Sequence, residues 1–481
     1  MKSILTTILL SLFLVAFSQK NMAPPAPVFP VPSEAQLAWH DMELNAFIHF
    51  TTNTFTDLEW GLGSEKESVF NPSGVHADQW VSVLKKAGFK GIILTCKHHD
   101  GFCLWPSKYT EHSVKNSPYK DGRGDIVKEL SDECKKQDVK FGVYLSPWDR
   151  NRSDYGKPSY IEYYRNQLKE LFTNYGSIFE MWFDGANGGS GYYGGANETR
   201  NVDKRSYYDW PKTLDFVRKM QPNVIFFSDA GPGVRWCGNE EGHVSTTNWN
   251  MINTDTIYAG KAGIETLLGT GAEDGNHWIP AEADVSIRPG WFYHEREDSL
   301  VKTPQQLFTI YLNSVGRGSL MLLNVPPDRR GFLHENDVKA LEGFRALLNE
   351  EFKTDIAKKA TVKVSSVRGN AKEFIGANLI DNNPDSYWAT DDKVVSGTIE
   401  LDWKTYETVK YLVLREYIKL GQRVKSFNVE VLKNGKWEKV AQETTIGHKR
   451  ILKFDPVRTN KIRIHIADSR ACPVISSVQV Y

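Results

Sequence analysis

Apolar runs that alternate with helical ones along residues 44–351 constrain the fold of this chain more than any other feature. The apolar runs predict strands at residues 44–50, 91–96, 140–145, 178–183 and 224–229. Apolar residues at helical spacing predict intervening helices at residues 77–87, 125–137, 160–175 and 210–220. Such alternation gives a parallel sheet with crossover helices, and a length of about 300 residues favours a closed (β/α)8-like TIM barrel over an open sheet.

The later units of this repeat are less regular. Candidate strands lie at residues 244–249, 278–285 and 318–324, and candidate helices at residues 304–315 and 335–351. A proline- and alanine-rich segment, residues 21–32, precedes the first unit and predicts an extended leader. We therefore expect a barrel domain over residues 33–352 whose sixth to eighth units depart from the regular pattern.

After residue 351 the pattern changes to short runs with period-two alternation, broken by turns such as Asn434-Gly435. This pattern is typical of antiparallel strands in a sandwich. The runs predict strands at residues 361–364, 397–401, 409–415, 427–432, 437–440, 451–454, 462–466 and 475–480. A second, all-β jelly-roll domain is therefore expected over residues 355–481.

The N-terminus has the features of a secretory signal peptide. Lys2 precedes an apolar run over residues 4–17, and Ser18 and Gln19 follow it. The run is shorter than the roughly 20 residues that span a bilayer, so no membrane anchor is expected. Because no cysteine lies near the cleavage point, we expect residues 1–19 to be removed, leaving a soluble periplasmic or secreted product.

Composition restricts the partners of the chain. Basic and acidic residues both number 59, so no broad basic field exists to hold nucleic acid or an anionic membrane. The 14 Trp and 20 Tyr offer faces that stack on sugars, although most such rings pack in protein cores. The five cysteines cannot all pair and lack CxxC spacing, so we expect mostly free, buried thiols and no zinc site.

Carboxylates at strand ends point to the chemistry. The apolar run 178–183 ends in Asp184-Gly185, where a barrel presents its catalytic side chains. Asp184 could instead cap a helix. Glycoside hydrolysis requires a second carboxyl group, and Glu240, Glu241 and Glu282 are all candidates by position. These features suggest an enzyme that cleaves sugars.

Several motifs of the first domain together resemble the α-L-fucosidases of glycoside hydrolase family 29. They lie at residues 47–50 (FIHF), 59–61 (EWG), 95–102 (TCKHHDGF), 142–146 (GVYLS), 182–185 (WFDG) and 235–240 (RWCGNE). The resemblance extends over residues 39–348. Residues 377–390 and 462–465 resemble the discoidin-like, galactose-binding jelly-roll family.

The resemblance implies a retaining exo-α-L-fucosidase without a cofactor or metal. Asp184 is the implied nucleophile and Glu240 the implied acid/base, because the loop 235–240 is similar to that of the branch specific for α-1,3/1,4-linked fucose. Fucosylated oligosaccharides or glycoconjugate glycans of the Lewis type are the implied substrates. The expected sugar contacts are His49, Trp60, His98, His99, Tyr144, Arg235 and Trp291.

Several alternatives stay open at this point. A buried histidine is often a satisfied core residue, and adjacent His98 and His99 face opposite sides of a strand unless the strand has ended before them. A metal site is disfavoured because His-x-His spacing is absent. The rival functions are a broad-specificity fucosidase that includes α-1,2 linkages, another glycosidase on the same barrel, and a catalytically silent carbohydrate-binding protein. The oligomeric state is left open.

Overall fold

The computed structural model describes residues 22–481. The predicted signal peptide, residues 1–19, lies outside the described residues. Within them, none of the helices combines the length and apolar composition needed to cross a lipid bilayer. All five cysteines are buried and unpaired, as the sequence predicted.

Eight parallel strands close into a barrel within the described part of the chain. They are β1 Leu44–Ile48, β2 Gly91–Lys97, β3 Lys140–Leu145, β4 Glu180–Trp182, β5 Ile225–Ser228, β6 Val234–Trp236, β7 Ala281–Ser286 and β8 Leu320–Asn324. Leu44 pairs with Met321, so the first strand meets the last and closes the sheet. The predicted TIM-barrel fold is confirmed.

Nine α-helices lie within residues 22–481, and the longer ones cover the outside of the barrel. They are α1 Glu34–His40, α2 Thr52–Thr56, α3 Ala77–Ala87, α4 Ile126–Lys136, α5 Pro158–Asn174, α6 Trp210–Met220, α7 Glu265–Thr270, α8 Pro304–Asn313 and α9 Glu335–Glu351. Helix α3 shows why the sequence predicted such elements well. Its residues Trp80, Val81 and Leu84 are buried on one face, and Gly88 ends it at φ +103°.

The barrel departs from the predicted pattern at its sixth strand. The predicted strand at residues 244–249 is wrong, because this segment bonds to other parts of the molecule instead of to a sheet. The N–H of Val244 donates to Asn313 and that of Asn248 to the Thr445 hydroxyl. The sixth strand is the shorter segment Val234–Trp236, which follows β5 after residues 229–233 without a helix.

The C-terminal domain is an antiparallel all-β fold, as predicted. Its strands are β9 Thr361–Val364, β10 Trp388–Ala389, β11 Gly397–Glu416, β12 Val424–Lys433, β13 Lys436–Glu443, β14 Arg450–Ser469 and β15 Val474–Val480. Four of the predicted runs merge into the two long strands β11 and β14. Register shifts between Asp402 and Glu407 and between Val409 and Tyr411 interrupt the pairing of these strands without ending them.

Two polar clusters join the domains. Gln422 is fully buried and accepts from the N–H of Asn250 at 2.8 Å, while its amide donates to the carbonyl of Asn248 at 2.9 Å. Arg450 donates to the Thr246 carbonyl at 2.7 Å. In the second cluster, Arg415 and Lys449 of the C-terminal domain contact Glu43, which precedes β1. The C-terminal domain therefore holds residues 246–250, the continuation of the loop that follows β6.

Candidate active site

Side chains from the first four barrel strands converge at the carboxyl-terminal end of the barrel. Alternation along each strand sends every second residue inward, so β1 directs Phe47 inward and β3 directs Tyr144 inward. His49 follows β1, and β2 ends at Lys97, just before His98 and His99. Because the second strand has ended there, both histidines can line the same pocket, and their rings lie 4.1 Å apart.

Asp184 lies at the centre of this group, two residues beyond β4. Its Oδ2 accepts from the Tyr144 hydroxyl at 2.8 Å, and its Oδ1 accepts from the N–H of Ala186 at 2.7 Å. The Nε2 atom of His99 is 3.8 Å from Oδ2. No helix of the described chain begins here, which removes the helix-cap alternative. The side chain is 24% exposed, so a ligand in the barrel mouth can reach it.

The three histidines of the pocket are buried and neutral. Burial lowers the pKa of His49 to about 3, that of His99 to about 4 and that of His98 well below its usual value. Asn324 and Ser146 orient the first two rings: the Nδ1 of His49 is 2.8 Å from Asn324 Oδ1, and that of His99 is 2.7 Å from Ser146 Oγ. The Nδ1 of His98 has no hydrogen-bond partner within residues 22–481. A neutral imidazole can donate or accept, which suits sugar hydroxyls.

Aromatic rings bound the pocket on two sides. Trp291 lies 5.3 Å from the His49 ring and 6.3 Å from Phe47. Trp60 lies edge-on to His99 at 5.2 Å and is 53% exposed, so it forms part of the rim. No group of His, Cys, Asp and Glu in residues 22–481 has the geometry of a metal site.

The three candidate second carboxyls occupy very different places. Glu240 lies at the mouth, where its Oε2 accepts from the Trp291 indole at 3.1 Å. Glu241 is 81% exposed and points to His243. Glu282 is fully buried in the barrel interior, where the Trp182 indole donates to it at 2.9 Å. Only Glu240, among these three, lies on the pocket.

The electrostatics of Glu240 favour its protonated form. Desolvation at the barrel mouth raises its pKa, the Trp291 N–H lowers it, and the charges of Asp184 and Glu59 raise it further. The interaction with Asp184 means that the two carboxyl groups act on each other across the pocket.

Sequence reasoning missed the residues that support this arrangement. Glu59 accepts from the N–H groups of Trp291 and Phe292 at 2.8 and 3.2 Å, and lies 2.6 Å from His294 Nε2, so it fixes the loop that carries Trp291. The Glu-Trp-Gly motif was a signal for this residue. Asp229 follows β5 and packs against Gly185. A Cβ atom at position 185 would lie only 2.1 Å from the Oδ2 of Asp229, so the close contact requires glycine.

The expected sugar contact at Arg235 is corrected by the structure. Alternation along β6 turns Val234 and Trp236 inward and Arg235 outward. The guanidinium is fully buried and donates to the carbonyls of Leu268 and Ile279, and to Asn248 and Trp249. Its donors are therefore occupied away from the pocket, and Trp236 takes the inward place.

A pair of interacting carboxyl groups, neutral imidazoles and aromatic walls at the top of a (β/α)8 barrel define a glycoside hydrolase. Comparison with known families makes this specific. Residues 28–351 match the family model described as Alpha-L-fucosidase, and residues 361–477 match that of the F5/8 type C domain. The chain belongs to the α-L-fucosidase family of glycoside hydrolases, and its second domain is discoidin-like, as the sequence motifs indicated.

Known proteins resemble the chain over nearly its full length. Alpha-L-fucosidase 1 of Arabidopsis thaliana is 41% identical over 479 residues, which cover 98% of this chain and 92% of the relative. A glycoside hydrolase 29 family member from an unknown rumen bacterium is 43% identical, with a TM-score of 0.85. The match covers 95% of this chain and 78% of the chain of that structure. A Ruminococcus gnavus GH29 fucosidase in complex with fucose is 36% identical, with a TM-score of 0.86 and 96% of both chains covered.

Replacing Arg235 by Met is expected to lower stability without a specific effect on substrate affinity. The substitution leaves several buried acceptors without a donor, and each such loss costs about 1–3 kcal/mol. Thermal unfolding should show a lower midpoint, while the KM of the remaining folded enzyme stays within about threefold of wild type. A large rise in KM with unchanged stability would restore Arg235 as a sugar contact.

Proposed function

We propose that this α-L-fucosidase is a retaining exo-enzyme. Asp184 attacks the anomeric carbon of a terminal fucose, and the glycosidic C–O bond breaks as Glu240 gives its proton to the leaving oxygen. Glu240 then takes a proton from water, which attacks the same carbon and releases Asp184. The observation that carries this proposal is the different surroundings of the two carboxyl groups on one pocket. Tyr144 and Ala186 donate to Asp184, whereas Glu240 has a raised pKa.

Fucose is the sugar that this pocket is proposed to hold. His49, His98 and His99 offer neutral ring nitrogens for hydroxyl groups, with Tyr144 and Trp60 beside them. Trp291 lies against Phe47 and provides an apolar surface for the 6-methyl group of the sugar. The solved structure of the R. gnavus relative is a complex with fucose, which supports this choice.

We further propose a preference for α-1,3- or α-1,4-linked fucose on Lewis-type glycans. The loop 235–240 is similar to that of the branch with this specificity, and Glu240 stands on it at the barrel mouth, where a branched leaving group would lie. Binding energy from a neighbouring galactose could then orient the scissile bond. The alternatives are broad specificity that includes α-1,2 linkages, and a silent binding protein on the same fold.

Secretion is proposed from the sequence of residues 1–19, with a periplasmic or extracellular product. The discoidin-like domain is proposed to contribute no catalytic residue. Its contacts with residues 246–250 support a structural role beside any binding of glycans.

Asp184→Gly should abolish turnover while leaving the fold intact, because the nucleophile has no substitute on this strand. Added azide should partly restore cleavage by taking the vacant place. Asp215→Ala, on the exposed face of α6, serves as the matched control and should keep wild-type kcat. Retention of more than about a tenth of the activity, a barrier change below about 1.4 kcal/mol, would remove Asp184 from this role.

Glu240→Gln should impair fucosides with poor leaving groups far more than activated aryl fucosides, since only the former need a proton. Glu241→Gln is the matched control and should change little, because its side chain points to solvent and His243. Measuring kcat for both substrate classes in both variants decides the assignment. The reverse pattern would move the acid/base role to Glu241.

The linkage preference is tested with three substrates side by side. Release of fucose from Lewis a or Lewis x trisaccharide should proceed with a kcat/KM well above that for 2′-fucosyllactose or an aryl fucoside. Truncated substrates should lose kcat as well as affinity, because the missing sugar no longer orients the bond. Comparable kcat/KM on all three, or best activity on the α-1,2 linkage, would contradict the preference but not the fucosidase activity.

A further inference from the structure

Four carboxyl groups in the barrel interior or at its mouth each accept one tryptophan N–H. The pairs are Trp291 with Glu240 at 3.1 Å, Trp236 with Asp284 at 2.9 Å, Trp182 with Glu282 at 2.9 Å and Trp39 with Glu180 at 3.1 Å. The mechanism uses the first of these. The lower two, Glu180 on β4 and Glu282 on β7, have no assigned role.

Glu180 and Glu282 face each other inside the barrel. Both side chains are fully buried, and each carboxyl group acts on the pKa of the other. The oxygens not held by an indole, Oε1 of Glu180 and Oε2 of Glu282, have no other partner in the described residues. Two carboxylate oxygens are both acceptors, so a hydrogen bond between them requires a proton.

We propose that Glu180 and Glu282 share one proton, and that this pair is a positioning device that holds Trp182 beneath the nucleophile. The role deepens the proposed function, since it rests on Asp184 as the nucleophile. With one proton the pair carries a single negative charge. The N–H groups of Trp39 and Trp182 then satisfy its outer oxygens.

A short chain of contacts links the pair to the reacting group. The Trp182 ring that donates to Glu282 stacks on Phe227 with centroids 3.9 Å apart. The ring also stacks on Tyr144 at 5.5 Å, and the Tyr144 hydroxyl donates to Asp184 at 2.8 Å. A change in the orientation of Trp182 would therefore move the donor that holds Asp184.

Few other charges act on the pair. Among the described residues, Asp284 is a further titratable group whose charge interacts with it, and burial raises the pKa of Asp284 well above its usual value. Helix α1 contributes the Trp39 indole. Apolar residues such as Phe47, Ile93, Phe227 and Leu322 form much of the remaining wall of the lower barrel, and the buried amide of Asn45 lies on the same strand as Phe47.

The shared proton makes stability depend on pH. Burial raises the pKa of Glu180 above its usual 4.5, and burial together with the Glu180 charge raises the pKa of Glu282 well above its usual value. The unfolded chain releases these protons at lower pH than the folded one, so rising pH favours unfolding. The contribution of the pair is complete below pH 4.5 and is lost as pH rises through the raised pKa values of the two groups.

Two substitutions at Glu282 separate geometry from charge. In Glu282→Gln, the amide oxygen can accept from Trp182 and the amide nitrogen can donate to Glu180, so the arrangement persists without a shared proton. Glu282→Leu has a similar size but offers no acceptor. At about pH 6, the Gln variant should keep kcat within about threefold of wild type, while the Leu variant should lose about tenfold or more in kcat with little change in KM.

Thermal unfolding gives the second readout. The unfolding midpoint of Glu282→Gln minus that of wild type should be higher by about 2 °C or more at about pH 8 than at about pH 5, because the variant lacks the second carboxyl group. Glu416→Gln is the matched control. Glu416 is a buried carboxyl group of the C-terminal domain, and burial raises its pKa to about 7. Its replacement can therefore alter stability, but it should leave the pH profile of kcat unchanged.

Three results would overturn the proposal. They are equal loss of kcat in the Gln and Leu variants, wild-type kcat in a folded Leu variant, and a Gln midpoint that follows wild type at every pH. If the Leu variant does not fold, the Gln midpoints decide. A wrong nucleophile assignment would show instead as activity retained in Asp184→Gly, whereas the unfolding midpoints of the Glu282 variants do not depend on that role.

Discussion

Period-two alternation along eight parallel strands decides which residues share the interior of the barrel. On β4 it sends Glu180 and Trp182 inward, and on β7 it sends Glu282 and Asp284 inward. In a closed barrel these positions meet no solvent, so each polar side chain must find its partner within the same narrow space. The pocket at the top is the continuation of this interior, at the level where the strands end.

Tryptophan is the main means by which the barrel satisfies these carboxyls. An indole fills the apolar interior and still presents one N–H, so it contributes packing and a donor together. A tryptophan indole donates both to Glu240 at the exposed mouth of the barrel and to Glu180 at its buried base. The sequence contains 14 Trp, and their abundance reflects this internal bonding as well as contact with sugars.

The sequence predicted elements better than the contacts between them. Helix α3 and strand β3 have the predicted bounds because their patterns are local. The run at residues 244–249 looked like a strand, but its backbone N–H groups donate to distant parts of the barrel domain and to the other domain, which no local pattern reveals. Arg235 lay in a functional motif, yet a strand of three residues gave too little pattern to tell inward from outward. The contact between Glu59 and the Trp291 loop spans a sequence separation of 232 residues.

The contacts of Gln422 with residues 248–250 have a consequence for how such enzymes evolve. The loop that carries Glu240 continues into residues 246–250, which are bonded to the discoidin-like domain. The conformation of this segment therefore depends on both domains. A lineage that exchanged this domain for another would have to change residues 246–250 at the same time. Recombination at the domain boundary should therefore be rare, and substitutions at Gln422 should co-vary with substitutions in that segment.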